Sequence, residues 1–149
     1  MPPRKERVPV VLDTNIVISY YLSGNSKSVI SHIFHLWRDL RKLQFIVSPE
    51  IIEEYLGVLE RLLIPTKRIE NLKTLLATYP IVTHVRLGPL PTASRDEDDN
   101  VILATAIAGK ARFLITNDRD LLDIPEIEKK KFKFEILKPS DFLTRIEET

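Results

Sequence analysis

Residues Val8 to Leu12, VPVVL, are apolar throughout, and the residue that ends the run is an acid, Asp13. A short strand that is apolar on both faces belongs inside a sheet covered on both sides, as the central strands of parallel sheets are. Asp13 therefore stands where a buried strand meets the next apolar run, Asn15 to Leu22, which reads as a helix. No Lys or Arg occurs in the eight positions after it. A structural ion pair would explain such an acid; so would a site, if other acids join it.

The rest of the chain continues the alternation. Val29, Ile33, Leu36, Trp37 and Leu40 recur at helical spacing within 28–43, and Gln44 to Val47 is a second short strand. Ser48-Pro49 starts a helix that runs to about Leu63, with serine as cap and proline in the first turn. Thr66 to Thr78 is another helix, closed by Pro80, and Ile81 to Val85 a third strand. Leu87 to Arg95, with Gly88, Pro89 and Pro91, is a loop. Asp98 to Ala108 is a helix that Gly109 ends as a C-cap. Arg112 to Ile115 and Lys133 to Leu137 are the fourth and fifth strands, and Ser140 to Glu147 the last helix. Strands alternating with helices predict an α/β domain around a mostly parallel sheet of about five strands. No repeat or linker interrupts it, so residues 1–149 are expected to form one domain.

The composition, 44% hydrophobic and 29% charged, is that of a soluble globular protein. The sequence contains no apolar run of membrane-spanning length and no signal peptide, and a cytoplasmic location is expected. With no cysteine there is neither a disulfide nor a thiolate site. The net charge is +1 but unevenly spread: Pro3 to Arg7 and Lys129 to Lys133 are basic, whereas Arg95 to Asn100, RDEDDN, is acidic. Basic clusters can hold phosphate backbones, although solvated surface is the commoner role of each taken alone.

Ligands of open parallel sheets bind at the carboxyl ends of the strands. Asp13 follows the first strand directly, and Asp118 follows the fourth after Thr116 and Asn117. If those strands are neighbours, the two acids meet. Asp99 heads the stripe formed by Ile102, Leu103 and Ala106, so it opens the core-facing side of its helix. N-capping would account for Asp98 or Asp99, but Asp96, Glu97, Asp98 and Asp99 come together. On the helix after Ser48, Glu53 and Glu54 flank a broad apolar arc, and the wheel leans to Glu54. Carboxylates about 4 Å apart repel by roughly 4 kcal/mol at an effective dielectric near 20. Acids converging without basic partners must protonate, pair with cations or bind a metal. An oxygen-only set suits Mg2+ or Mn2+ rather than zinc, and His32, His35 and His84 are too scattered to form a ligand set.

These pieces, in order, resemble the PIN-domain ribonucleases, the fold of the VapC-type toxins of toxin–antitoxin pairs. VVLDTNIVIS is similar to the opening strand and Asp-Thr-Asn motif of that family. FIVSPEIIEEYLGVL resembles the strand and helix carrying its glutamate, and DEDDNVILATAIAGKARFLITNDRDLL its third and fourth acids. ILKPSDFL resembles its closing strand and terminal helix. The resemblance implies a three-layer α/β/α sandwich and a metal-dependent endoribonuclease using Mg2+ or Mn2+. It implies Asp13 as the central metal ligand, Asp99 and Asp118 as further ligands, and Glu54 as a ligand or as the group orienting the attacking water. Thr14, Asn15, Ser48 and Thr116 would position the carboxylates, with Asp96, Asp98 and Asp120 at the rim. The implied products carry 5′-phosphate and 3′-hydroxyl ends. An RNA substrate, an antitoxin partner and a homodimer go with the toxin role, the dimer using apolar faces around Trp37 or Ile69 to Leu76.

Other readings fit less well. Phosphotransfer of the haloacid-dehalogenase kind needs an acid where Asn15 stands, and a receiver domain needs a phosphoacceptor acid that IVTHVRLGP does not supply. A PIN domain kept as an RNA- or protein-binding scaffold is the stronger alternative, but degenerate members usually lose acids that are all present here.

Overall fold

The computed structural model describes residues 7–23, 28–90 and 97–147, with Glu97 and Asp98 described by backbone alone. The basic Pro3–Arg7 stretch apart from Arg7, the residues 91–95 of the expected loop, and Asp96 lie outside the described residues.

Strand β1 (Val8–Leu12) leads into helix α1 (Thr14–Leu22), followed by α2 (Val29–Arg38), β2 (Leu43–Val47), α3 (Pro49–Arg61) and α4 (Thr66–Leu76). A turn of 3₁₀ helix, Tyr79–Ile81, precedes β3 (Val82–His84). Then come α5 (Glu97–Ala108), β4 (Phe113–Ile115), two single-turn helices α6 (Arg119–Leu122) and α7 (Glu126–Lys129), β5 (Glu135–Leu137) and α8 (Pro139–Glu147). The five strands form one sheet in the order β3-β2-β1-β4-β5, and every pairing is parallel. This is the expected PIN-like α/β sandwich. Val10, Val11 and Leu12 are all buried, as a strand with helices on both faces must be. Helix α5 packs on β1, β2 and β4, whereas α2 contacts β2 and α8 contacts β4 and α2.

The helices depart from the periodicity at two places. Helix α2 stops at Arg38 and not at 43, because Arg41 takes a left-handed φ of 52° and turns the chain into β2. Helices α6 and α7, of four residues each, fall where the sequence shows no helical period at all, since one turn is too short to display one. Among the described residues no helix is long and apolar enough to cross a membrane.

The core is aromatic on the α2 side. Phe45 stacks on Trp37 at a centroid distance of 3.7 Å, and Phe34 stacks on Tyr20 at 3.8 Å. The indole N–H of Trp37 donates to the Ile81 carbonyl at 2.9 Å, so this large ring is buried without an orphaned donor. Trp37, Ile69, Leu72 and Leu76 are all buried within the chain. These four side chains are therefore occupied within the chain's own core.

Gly109 ends its helix as expected, with a second reason for being glycine. Helix α5 does end in a Schellman motif, with Ala111 N–H donating to Ala106 O at 2.9 Å and Lys110 N–H to Ile107 O at 3.2 Å. The left-handed residue of that motif is Lys110, at φ 53°, and not the glycine. Gly109 is required for space: a Cβ there would lie 2.2 Å from Cγ2 of the buried Ile46 on β2. Leu63 plays the part of Lys110 at the end of α3, at φ 58° and 87% exposed.

Gly109→Ala is expected to cost about 1–3 kcal/mol by overpacking, seen as a fall of several degrees in Tm. Leu63→Gly is expected to gain about 1 kcal/mol by removing left-handed strain at little loss of burial. Thermal melting of the two variants beside the wild type checks both signs.

Candidate active site

The sheet order reverses between β1 and β4, and the crevice at their carboxyl ends is where an open parallel sheet holds ligands. The register pairs Leu12 with Ile115, which sets Asp13 opposite Thr116 one step on. Asp13 N–H donates to Ile115 O at 3.0 Å and Thr116 N–H to Leu137 O at 2.9 Å, so both residues are pinned by the sheet. The Thr116 hydroxyl then donates to Asp13 Oδ2 at 2.6 Å and accepts from Asp118 N–H at 2.9 Å. One hydroxyl thereby orients two of the expected acids.

Asp13 is 3% exposed. Burial raises its pKa above the ordinary value of 3.8; the Thr116 hydrogen bond opposes this, the charge of Asp118 adds to it, and the N–H groups of Thr14 and Asn15 oppose it weakly. Among the described residues Asp13 and Asp118 have no ion pair with a basic side chain. The buried Asp13 carboxyl thus has, among the described residues, no cationic side chain to favour its charged form.

Asp118 caps α6, its Oδ1 accepting from Asp120 N–H at 2.9 Å. This turn carries the Asp120 carboxylate back toward the site. Oxygens of Asp99, Asp118 and Asp120 lie within 4.8 Å of one another. Asp99 is buried at the head of α5, and the residues it was expected to lead, Ile102, Leu103 and Ala106, are buried below it. Asp120, expected at the rim, thus belongs to the close group. Its signal in the sequence was the Asp118-x-Asp120 spacing at the start of a turn, which a capping aspartate announces. The Asp98 side chain lies outside the described residues.

Glu54 is half-buried and Glu53 exposed, the order the wheel leaned to. Both line a cleft of about 420 Å³ with Glu50, Gly57, Arg61 and Val101, between α3 and the start of α5. Neither Glu54 nor Asp13, the expected central ligand, belongs to the group of three converging carboxylates. Next to it, Tyr55 is fully buried and its hydroxyl donates to the Leu12 carbonyl, the last of β1. Burial, then the charges of Asp13 and Glu54, raise its pKa well above 10 and keep it a phenol. Tyr55 thus anchors α3 to the residue before Asp13, a role that its apolar position on the wheel concealed.

The four expected positioning residues divide. Thr116 holds Asp13 and Asp118, as described. Ser48 instead caps α3 through Ile51 N–H at 3.2 Å and shares a hydrogen bond of 2.9 Å with Thr105 on α5, so it joins two helices and, among the described residues, hydrogen-bonds no carboxylate. Asn15 is exposed, and Thr14 is buried with a hydroxyl that meets no partner. The donor set suits a small hard cation. Oxygens on opposite sides of an ion bound at about 2.0–2.6 Å lie roughly 4–5 Å apart, the span of the three carboxylates.

Comparison with known proteins agrees with this architecture. The family model described as PIN domain matches residues 9–120. The crystal structure of VapBC2 from Rickettsia felis bound to a DNA fragment from their promoter contains a chain that superposes with a TM-score of 0.54 at 14% identity, covering 87% of this chain and 97% of that one. PAE2754 from Pyrobaculum aerophilum superposes with a TM-score of 0.57 at 18% identity, covering 95% of this chain and 91% of the other. At such identities the likeness is one of fold. No curated protein sequence matches the chain. With three-quarters of its length matched, from Pro9 in β1 to Asp120 in α6, the chain belongs to the PIN domain family, a family of nucleases.

Proposed function

We propose that the chain is a metal-dependent endoribonuclease acting as the toxin of a toxin–antitoxin pair, with Asp13, Asp99 and Asp118 holding Mg2+ or Mn2+. Asp120 joins that set, and Glu54 on the adjoining wall is a further ligand or orients the attacking water. The observation that carries the reading is the convergence of three carboxylate oxygens within 4.8 Å at the β1–β4 switch point, beside the buried Asp13. The toxin role is supported by the fold shared with a chain of the VapBC2 complex; an antitoxin partner, a homodimer, a single nuclease domain over 1–149 and a cytoplasmic location belong to the same proposal.

When bound, the metal would supply Lewis acidity, lowering the pKa of water and neutralising charge on the phosphate. The chain's own groups do the positioning. Thr116 fixes the Asp13 carboxylate, and the α6 turn fixes Asp118 relative to Asp120. Tyr55 holds the end of β1 against α3. Glu54, half-buried beside an open cleft, is reached by solvent and can accept a proton from a water that Asp13, being buried, cannot approach from outside.

Cleavage of end-labelled structured RNA with Mn2+, with Mg2+ and with chelator is expected to show cutting only with metal. Asp99→Asn is expected to lower the rate by 100-fold or more, in line with the loss of a group that supports metal-assisted hydrolysis (on the order of 10²-fold). No cutting and no calorimetric metal binding would leave a scaffold.

The electrostatics give a second expectation. Because the folded-state pKa of Asp13 is raised, its ionisation destabilises the metal-free protein: the stability present at low pH is lost as pH rises through that raised value. With chelator at pH 8, Asp13→Asn should therefore melt above the wild type by a few degrees. The gap should close toward pH 4 and reverse when metal is added. Identical melting of the two proteins at pH 8 would refute the charge repulsion on which the metal assignment depends.

A further inference from the structure

A site built of aspartates repels the polyanion it is proposed to cut, so attraction for RNA has to come from another part of the surface. At the opposite end of the sheet, where β1 and β4 begin, a cleft of about 750 Å³ opens beside Pro9 and Arg112. Lys110, Arg112, Lys131 and Lys133 line it, and among the described residues no carboxylate does. All four are exposed. Lys131 pairs with Glu128 at 3.2 Å, whereas Lys110, Arg112 and Lys133 have no ion pair among the described residues.

The cations come from two separate stretches, the turn after α5 and the turn before β5. Between them the lining is apolar. Phe132 is half-buried and stacks on Phe134 at 4.9 Å with ring planes 19° apart, and Ile107 is 49% exposed. The basic tract Lys129–Lys133 is thus not uniform solvated surface. Lys129 donates to the Leu122 carbonyl at 2.6 Å and supports the turn, while Lys131 and Lys133 face the cleft.

We propose that this cleft holds a single-stranded segment of the RNA substrate, bases against Phe132 and Ile107 and phosphates against the four cations; this rests on the ribonuclease reading above. Charge complementarity selects a polyanion, and the aromatic lining offers the stacking that single strands use without regard to sequence. The chain's own leading segment does not complement the cleft, since Arg4, Lys5 and Arg7 give it the same sign. The placement also suits the substrate. Arg112 and Asp118 are six residues apart across β4, about 20 Å of extended chain, so RNA held in the cleft keeps neighbouring nucleotides within reach of the acids. An acidic peptide would find the same cations, and the test below separates it.

The experiment is fluorescence anisotropy of a labelled twelve-nucleotide single-stranded RNA with the full chain in chelator, across a range of salt. The triple variant Lys110→Ala/Arg112→Ala/Lys133→Ala is expected to bind at least about 10-fold more weakly at low salt, with a salt slope smaller by about 2. Phe132→Leu is expected to weaken binding several-fold with the slope unchanged, a split that loss of fold would not produce; melting curves confirm folding of each variant. Unchanged affinity and slope in the triple variant would overturn the proposal. So would full displacement of the strand by an equimolar mononucleotide, or by an equimolar acidic peptide. Metal-dependent cleavage measured on the same proteins keeps the two readings apart. Wild type that cuts RNA while the triple variant binds like wild type overturns only the cleft. Wild type that binds the strand through the cleft yet never cuts with metal overturns only the nuclease reading.

Discussion

Much of this molecule depends on the parallel pairing of β1 with β4 in one register, Leu12 opposite Ile115. Only that register sets Thr116 beside Asp13, where its hydroxyl donates to one acid and accepts from the backbone of another. A slip of one residue would turn Thr116 to the other face of the sheet and leave the buried carboxylate without its donor. The pairing joins strands separated by about a hundred residues, so the site exists only once nearly the whole chain has folded.

The site in turn works against the fold that makes it. In the proposed site the buried Asp13 carboxyl disfavours ionisation, and packing elsewhere supports the fold. The stacked and edge-on contacts among Tyr20, Tyr21, Phe34, Trp37 and Phe45 lie on β2 and the helices α1 and α2, away from the acids. Tyr55 and Ser48 extend the support toward the site without touching its oxygens, one holding α3 to β1, the other α3 to α5. The stabilising residues and those of the proposed site are therefore different sets, meeting at Thr116.

How far the sequence could be read follows from these contacts. The five strands and the α/β class were legible because VPVVL and its counterparts carry a pattern that only a covered parallel sheet explains. Asp99 was legible as an inward acid because a twelve-residue helix displays its period. Asp120 was not, since its place depends on a single turn with no period to see. Tyr55 reads as one more apolar residue on a helix arc, because nothing in a wheel shows where a hydroxyl ends. Gly109 invited the usual reading of a glycine after a helix, yet the left-handed turn fell to Lys110; the clash that demands glycine involves Ile46, sixty-three positions earlier. Ser48 was legible as a cap but not as the partner of Thr105. In each case the missing information was a contact distant in sequence, or an element too short to show a pattern.

That contact at Gly109 has a consequence for the acids. Helix α5 is a rod about 15 Å long between Asp99 and Gly109, and its glycine end rests directly on β2. The rod's position relative to the sheet is therefore set at the end remote from the carboxylates. Any bulk that lifts that end by an ångström tilts or slides the whole rod, and the displacement arrives at Asp99, whose oxygen must stay in step with those of Asp118 and Asp120. The spacing of the acidic cluster is in this way gauged from across the sheet, by a hydrogen atom where every other residue would place a carbon.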